Sequence, residues 1–479
     1  MKLPFGKNIH VVGFAGTEGA ALLEYLHQRT PTAKITAHDY SPQELFLKHF
    51  KEAHVALEKE AMRQKAEEVL GYENVTYCFR ETYLNGIEEA DSIFVPQSWY
   101  LYEQNAALRP FQEKFRSITR LYFDLFPGKI IGVTGSNGKT TTTNLIADIM
   151  KRAFPRTLFS GNDRRAEQVL QQLEFATKDD WLVLEISNRQ LMIDLGKSPD
   201  VSVITNITPN HLTEYKSFEE YAAVKASLLK YQTLDQWSVL NVDDPESKKL
   251  MERDGGETMP FSIEEVLPKG VFVQFGNIVI KHADKEEIVM PVSEFPLKGK
   301  HNLSNALAAV AATYLAGVDI ETIAQTLRSV EPIPQRMELV KKVNGVEYYN
   351  DSASTVPEST IAAIETLSES SKHLVLIMGG NSKGSDYRPL AEEIKKRVKT
   401  LILLKSPVAD EIETLLKNSS GTILHCETLQ EAVQAAHQQA QAGDSVLFSP
   451  AGEYFVYFKD KMPGYKNFRH MVEILGTQS

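Results

Sequence analysis

The sequence predicts an α/β protein of three domains, and three observations carry that prediction. The stretch GKIIGVTGSNGKTTTTNLIADIM, residues 128–150, reads as strand, loop and helix. Ile130, Ile131, Gly132 and Val133 form an apolar run, TGSNGK is too glycine-rich and polar to continue it, and TTTTNLIADIM has helical spacing. Near the start, NIHVVGFAGTEGAALLEYLHQ repeats the order strand, turn, helix, with Gly13, Gly16 and Gly19 evenly spaced. Beyond a proline-marked boundary at Glu331, Pro332, Ile333 and Pro334, apolar strands alternate with helical stretches long enough to cross a parallel sheet. The 479 residues, 42% of them hydrophobic, suffice for three separate cores at roughly 150 residues each. The expected division is an N-terminal Rossmann-like domain over 1–116, a central P-loop-type mononucleotide-binding domain over 117–332, and a C-terminal Rossmann-like domain over 333–479.

Each element has a local reason. In the central loop, Gly135 and Gly138 let backbone N–H groups converge on an anion, and the helix that follows points its unpaired amides and positive dipole end at the same place. Ser136, Asn137, Lys139, Thr140 and Thr141 complete a cradle for a triphosphate: Lys139 reaches the outer phosphates and the Thr140 hydroxyl meets a magnesium ion bound to them. The spacing departs from the strict G-x-x-x-x-G-K-[ST] pattern at Val133, so the strand-to-helix context carries the reading, against an ordinary glycine turn. KDDWLVLEIS then supplies a strand delivering Glu185, and DVSVITNITPNHLTEY one delivering His211. Strand ends beside a phosphate loop form the ligand crevice of an open parallel sheet, and a carboxylate there suits magnesium. Singly, Glu185 would be a solvated strand-end acid and His211 a structural histidine. The helix FEEYAAVKASLLKYQ places Lys225 inside an apolar pattern, where a lysine ordinarily snorkels to the surface. Further on, Asn302 and Ser304 offer N-terminal caps to an alanine-rich helix with Asn305 near its first turn.

The first domain is less explicit. A glycine turn followed by a strand ending at Asp39 suits a nucleotide-binding unit, but the glycines also serve plain helix-to-strand packing. A formal net charge of −11 argues against sequence-independent nucleic-acid binding. Cys78 and Cys426 lie outside any metal-ligand spacing and read as reduced thiols. No apolar run approaches the roughly 18 residues of a membrane span, and neither terminus carries a secretory h-region, so a cytoplasmic monomer acting on small molecules, with no membrane and no nucleic-acid partner, is expected.

In order along the chain, TGSNGKTTTTNLI, LEIS, NITPNH, AVK, LNVDD, GKHNLSNALAA, PQRME and NDSAST resemble the Mur ligases, with GGNSKGSDYRPL, LFSPAGEYF and YKNF similar to that family's third domain. The resemblance implies an ATP-dependent ligase that joins an amino acid, D-glutamate by the nearest likeness, to a UDP-muramoyl acceptor, UDP-N-acetylmuramoyl-L-alanine, in peptidoglycan precursor synthesis. It implies ATP contacts from Asn302, Asn305, Arg336 and Asp351, and two magnesium ions held with the help of Thr140, Glu185, His211 and Lys225, the last as a carbamylated lysine. Lys139, His211 and Lys225 would be the catalytic set. Thr355 and Lys383 would clamp a carboxylate of the amino acid, and Thr17 and Asn162 would contact the UDP moiety. Four departures bear on the substrate: Gly161, Asn162, Asp163, Arg164 replace GNIG; Pro96, Gln97, Ser98 replace SPG; Ala353 replaces the lysine of NDSKAT; and Gly452, Glu453, Tyr454 stand where a small polar residue is expected. Two other readings stay open, a related ligase with a changed amino acid or acceptor, and a nucleotide-binding regulatory protein that lost the reaction. A dinucleotide-dependent oxidoreductase built on the Gly13–Gly19 turn is more remote.

Overall fold

The computed structural model describes residues 5–54, 58–161, 169–210, 214–382, 384–417, 421–459, 461, 462, 464 and 466–475. They build three sheets. The first has the strand order Val75–Cys78, Lys34–His38, Asn8–Val12, Ser92–Phe94, Phe115–Arg116, all parallel. In the second, the strands run Trp237–Asn241, Val201–Ile204, Lys129–Thr134, Trp181–Glu185, Leu158–Ser160, again parallel. Glu257–Ser262 and Gly270–Gln274 extend that sheet in parallel, and Asn277–His282 and Lys285–Pro291 close its edge as an antiparallel meander. The third runs Glu338–Val343, Val346–Asn350, Ser445–Phe448, Leu374–Met378, Val398–Leu404, Thr422–Cys426, parallel except for the hairpin at its first edge. That edge strand breaks the expected alternation because Asn344 and Gly345, both with positive φ, form a tight turn.

The central core packs helix Lys139–Ala153 and helix Lys300–Leu315 together on one face of the second sheet. Ile131, Val133, Leu145, Ile146, Ile149 and Met150 meet a wall running from Ala306 to Ala312, and every residue of that wall is fully buried. Alanine here lets the two helices approach closely. The other sheet face is continuous with the first domain: Leu22, Leu23 and Leu26 join Ile118, Leu121 and Tyr122 of helix Ile118–Leu125 and Leu182, Leu184 and Ile204 of the central strands. Each fully buried leucine or isoleucine contributes about 1.5–3 kcal/mol relative to exposure, so this seam is a packed interface between the first two sheets.

Two expectations need correction. The alanine-rich helix starts at Lys300 after Gly299, so Asn302 and Ser304 lie inside it and neither is its cap; Gly299, with φ of 96°, makes the entry that a capping side chain would otherwise make. The bare helix-pattern reading of Lys225, which the family resemblance already reverses, is the second: the residue is fully buried, with no surface to snorkel to. Cys78 is buried and Cys426 half-buried, both as free thiols. Among the described residues no helix is long and apolar enough to cross a membrane.

Candidate active site

Strand Lys129–Thr134 delivers the chain into the crevice at its C-terminal end, and the turn into helix Lys139–Ala153 needs glycine twice. Gly138 has φ of 82°, and a Cβ there would run into the Asn305 side chain; at Gly135 one would run into Thr205. The loop is pinned from the neighbouring strand end. Ser136 N–H donates to Asn206 O (2.9 Å) and Asn137 N–H to Asn206 Oδ1 (2.9 Å). Ser136 Oγ donates to Thr208 O (2.9 Å), accepts from Thr208 N–H (2.9 Å) and lies 3.0 Å from the Tyr221 hydroxyl. Such fixing holds the cradle in shape before a ligand arrives.

Two lysines meet at one carbonyl. Lys139 Nζ donates to Gly135 O (2.9 Å) and Ser136 O (3.0 Å), and Lys225 Nζ donates to the same Gly135 O (2.8 Å). The Lys225 ammonium position lies 4.9 Å from the Tyr221 ring centroid. Burial, reinforced by the nearby Lys139 charge, pushes the Lys225 pKa well below the ordinary lysine value, which favours the neutral amine over the ammonium. A neutral amine is a nucleophile, which the surface-lysine alternative would not supply.

Thr140 Oγ1 donates to Glu185 Oε1 (3.2 Å) and accepts from Arg336 Nη2 (3.2 Å). Arg336 therefore reaches across from the segment after the proline boundary. It sits between Gln335 (φ 68°) and Met337 (φ 46°), two non-glycine residues in the left-handed region, a conformation that costs roughly 1 kcal/mol or more each. Hydrogen bonds hold it: Gln335 N–H to Glu338 Oε2 (2.8 Å), Ala353 N–H to Gln335 O (3.1 Å), and Met337 N–H to Asp351 Oδ1 (3.1 Å). Asp351 also accepts from Ser354 Oγ (2.6 Å) and Ser449 Oγ (2.8 Å). Its burial outweighs these donors and raises its pKa to about 6. Helix Pro357–Ser368 touches the loop directly, with Ser359 Oγ donating to Asn137 Oδ1 (3.3 Å).

These groups enclose a cavity of about 410 Å³, within the range of small-molecule sites. Its walls include Ser136, Asn137, Gly138, Lys139, Thr140 and Thr141 from the loop, Asn302 and Asn305 from the alanine-rich helix, and Arg336, Asp351 and Thr355 from the third-sheet segment. Glu185 and Lys225 stand behind the wall through their bonds to Thr140 and Gly135. A polyanion is the ligand this lining suits, with cations, loop amides and a hydroxyl–carboxylate pair on one side.

Comparison with known proteins agrees. Residues 133–313 match the Mur ligase middle domain and residues 335–452 the Mur ligase glutamate ligase domain. The chain is 39% identical over 338 residues to the UDP-N-acetylmuramoylalanine--D-glutamate ligase of Pelotomaculum thermopropionicum, covering 71% of this chain and 73% of that one. It is 33% identical over 407 residues to the enzyme of the same name from Acetivibrio thermocellus, covering 83% and 86%. The chain belongs to the Mur ligase family. Solved structures share the fold: the MurF ligase of Thermotoga maritima in complex with ADP, at a TM-score of 0.60 and 17% identity over 98% of this chain and 96% of that one, and a pseudomurein peptide ligase type C from Methanothermus fervidus, at 0.58 and 19% over 98% and 100%.

In this Mur ligase, three of the sequence-derived candidates, His211, Asn162 and Lys383, lie outside the described residues. Thr17 is placed away from the cavity, as the first residue of helix Thr17–Arg29 at the seam between the first two sheets. There Gln97 Nε2 donates to Glu18 Oε1 (3.2 Å) and Ser187 Oγ to Gln97 Oε1 (2.9 Å). Sequence reasoning passed over His301, Glu358 and Ser359, which also line the cavity. His301 is held neutral, its pKa lowered by burial to about 4, and its Nδ1 has no partner among the described residues. Its signal was within reach, since it directly precedes Asn302 in GKHNLSN. Glu358 gave none beyond an ordinary acid in a helix's first turn.

Proposed function

We propose that this Mur ligase joins D-glutamate to UDP-N-acetylmuramoyl-L-alanine in the cytoplasm, at the cost of ATP. The observation that carries the reading is the single cavity in which the Lys139–Thr140 loop faces Arg336, Asp351 and Thr355. A carboxylate is a poor electrophile, so the γ-phosphoryl group is first transferred to it, giving an acyl phosphate; the amino group of the amino acid then attacks and phosphate leaves. Lys139 and the loop amides neutralise charge as the phosphoryl group moves, catalysis being mainly positioning plus electrostatics. Asn302, Asn305, Arg336 and Asp351 hold the nucleotide. Thr355, with Lys383, receives the amino acid, and Thr17 and Asn162 receive the UDP moiety.

Magnesium fits the donors present. Thr140 Oγ1 and Glu185 Oε1, 3.2 Å apart, are a hard oxygen pair, and no trio of His, Cys, Asp or Glu among the described residues forms a closed metal cage, which suits an ion held largely by phosphates and water. When bound, it withdraws charge from the phosphate oxygens. The amine form of Lys225 is suited to attack carbon dioxide, forming an N–C bond and losing a proton, and the resulting carbamate would supply an anionic metal ligand.

Ala353 in the cavity wall supports a second reading. The family pattern has lysine there, and its loss changes how the second carboxylate of a glutamate would be held, so an amino acid with its groups arranged differently, such as L-glutamate, is the alternative. The test is phosphate release and product mass with ATP, UDP-N-acetylmuramoyl-L-alanine and a panel of amino acids. A product with D-glutamate alone supports the first reading and one with L-glutamate the second; ATP hydrolysis indifferent to acceptor and amino acid overturns both.

A further inference from the structure

The cavity is rich in groups that favour anions, yet the reaction proposed above brings in an ammonium ion. Lys139, Arg336 and the loop amides all serve phosphate, and they repel the positively charged amino group of the second substrate. Something in the lining has to receive it.

Among the described residues two carboxylates line the cavity, Asp351 and Glu358. Asp351 is committed, since it is 4% exposed and accepts from Ser354, Ser449 and the Met337 amide. Glu185 is occupied by Thr140. Glu358 differs from both: its residue is exposed, and no salt bridge among the described residues engages it. It stands in the first turn of helix Pro357–Ser368, one residue before Ser359, whose hydroxyl reaches Asn137 of the phosphate loop at 3.3 Å. It is also three residues after Thr355, the candidate for the amino-acid carboxylate.

We infer that Glu358 receives the α-ammonium group of the incoming amino acid and accepts a proton from it as the amide forms. The inference rests on the ligase reading. In the step, the C–N bond forms and the C–O bond to phosphate breaks. Of the two protons the nitrogen loses, one passes to Glu358 and from there to solvent, and the other leaves on the departing phosphate. The surroundings fit a proton acceptor. Partial desolvation of the carboxylate, with the nearby Asp386 charge, raises the Glu358 pKa above its ordinary value, which strengthens it as a base. Among the described residues, the titratable and charged groups around it are Asp386 and Tyr387 on the segment leading into the next helix, and Lys139, Tyr221, His301, Arg336 and Asp351 on the other cavity walls.

The experiment separates the two half-reactions in the full-length protein. With ATP, magnesium, UDP-N-acetylmuramoyl-L-alanine and hydroxylamine, a small neutral amine, the acyl phosphate is trapped as a hydroxamate. Glu358→Gln is expected to keep hydroxamate formation within about twofold of wild type while kcat/KM for the amino acid falls roughly 10²-fold at pH 7, the scale of a lost general base. The deficit should shrink toward pH 10, where the amino acid loses its proton unaided, and Glu358→Asp should restore part of the rate. Equal loss of both products, or loss of neither, overturns the role of Glu358. A wild-type protein that forms no hydroxamate overturns the ligase reading itself, and this inference with it.

Discussion

The chain makes the same local structure twice, and only one copy is equipped for a polyphosphate. Both the Gly13–Gly19 turn and the Gly135–Thr140 loop join a buried parallel strand to a helix with positive-φ glycine, Gly13 in the one and Gly135 and Gly138 in the other. In the first, the turn's own amide is taken: Ala15 N–H donates to Asp39 Oδ2 (3.3 Å), and Glu18 adds an acid to the helix's first turn. Gly19 is there for packing, because a Cβ would run into the Gly13 carbonyl and the Phe14 backbone. In the second, Gly138 opens a helix whose first residues are Lys139 and Thr140, with no acid in the first turn. Glycine spacing thus shapes a turn, and the charges around it decide what the turn can hold.

The largest test of that contrast is Lys139→Ala. If charge makes the second loop what it is, kcat should fall roughly 10³-fold with little change in thermal stability, since Lys139 donates to the carbonyls of Gly135 and Ser136 in its own loop and is not part of the apolar core. Steady-state phosphate release and a melting curve check this together. A variant with near-normal turnover would mean that shape alone suffices.

Lys225 sharpens the comparison, because the first turn has no counterpart. Lys225→Ala should cost about 10² in rate, and wild-type activity should rise on adding bicarbonate to carbon-dioxide-free buffer while the variant's does not. Stability gives an independent sign. The folded pKa lies well below the ordinary value, so between that pKa and about 10 the unfolded chain carries a proton that the native state lacks, and native stability rises with pH. In bicarbonate-free buffer, denaturant midpoints should therefore climb from pH 7 toward pH 10 for wild type and climb less for Lys225→Met.

How legible this was in the sequence follows from the physics of each part. Strands such as Lys129–Thr134, Trp181–Glu185 and Leu374–Met378 are buried over nearly their whole length, so they appear as short apolar runs, and the strand-to-helix loop announces itself by composition. The burial of Lys225 was invisible, because a lysine inside an apolar stripe reads identically whether it snorkels or sits against Tyr221. The entry to helix Lys300–Leu315 was misplaced because Asn302 and Ser304 are ordinary caps, whereas Gly299 acts through a backbone angle. Glu358 was missed because its partner is a substrate, and Thr17 was singled out by resemblance alone.

A paired glycine exchange probes the two turns at the level of packing. Gly19→Ala forces a methyl into the Gly13 carbonyl and should destabilise by about 2 kcal/mol, within the overpacking range, leaving the KM for ATP unchanged. Gly138→Ala adds left-handed strain to a clash with Asn305, whose Oδ1 also accepts from Thr142 Oγ1 (3.2 Å), so KM for ATP should rise roughly tenfold. The reverse pattern, with ATP binding sensitive to Gly19, would place a nucleotide in the first turn and break the distinction.

The smallest effect is expected at Thr17. Its hydroxyl stands in the first turn of a helix that carries Glu18 in the same turn, and that helix borders the seam where Gln97 links Glu18 to Ser187. If the first domain holds a uridine diphosphate, one hydroxyl there contributes a single hydrogen bond, about 1 kcal/mol, so Thr17→Ala should raise KM for the UDP-linked acceptor some threefold to tenfold and leave KM for ATP untouched. A change in the ATP constant instead would mean that the seam transmits the first turn's geometry to Ser187, two residues beyond Glu185 at the end of its strand, and the two glycine turns would then be halves of one site.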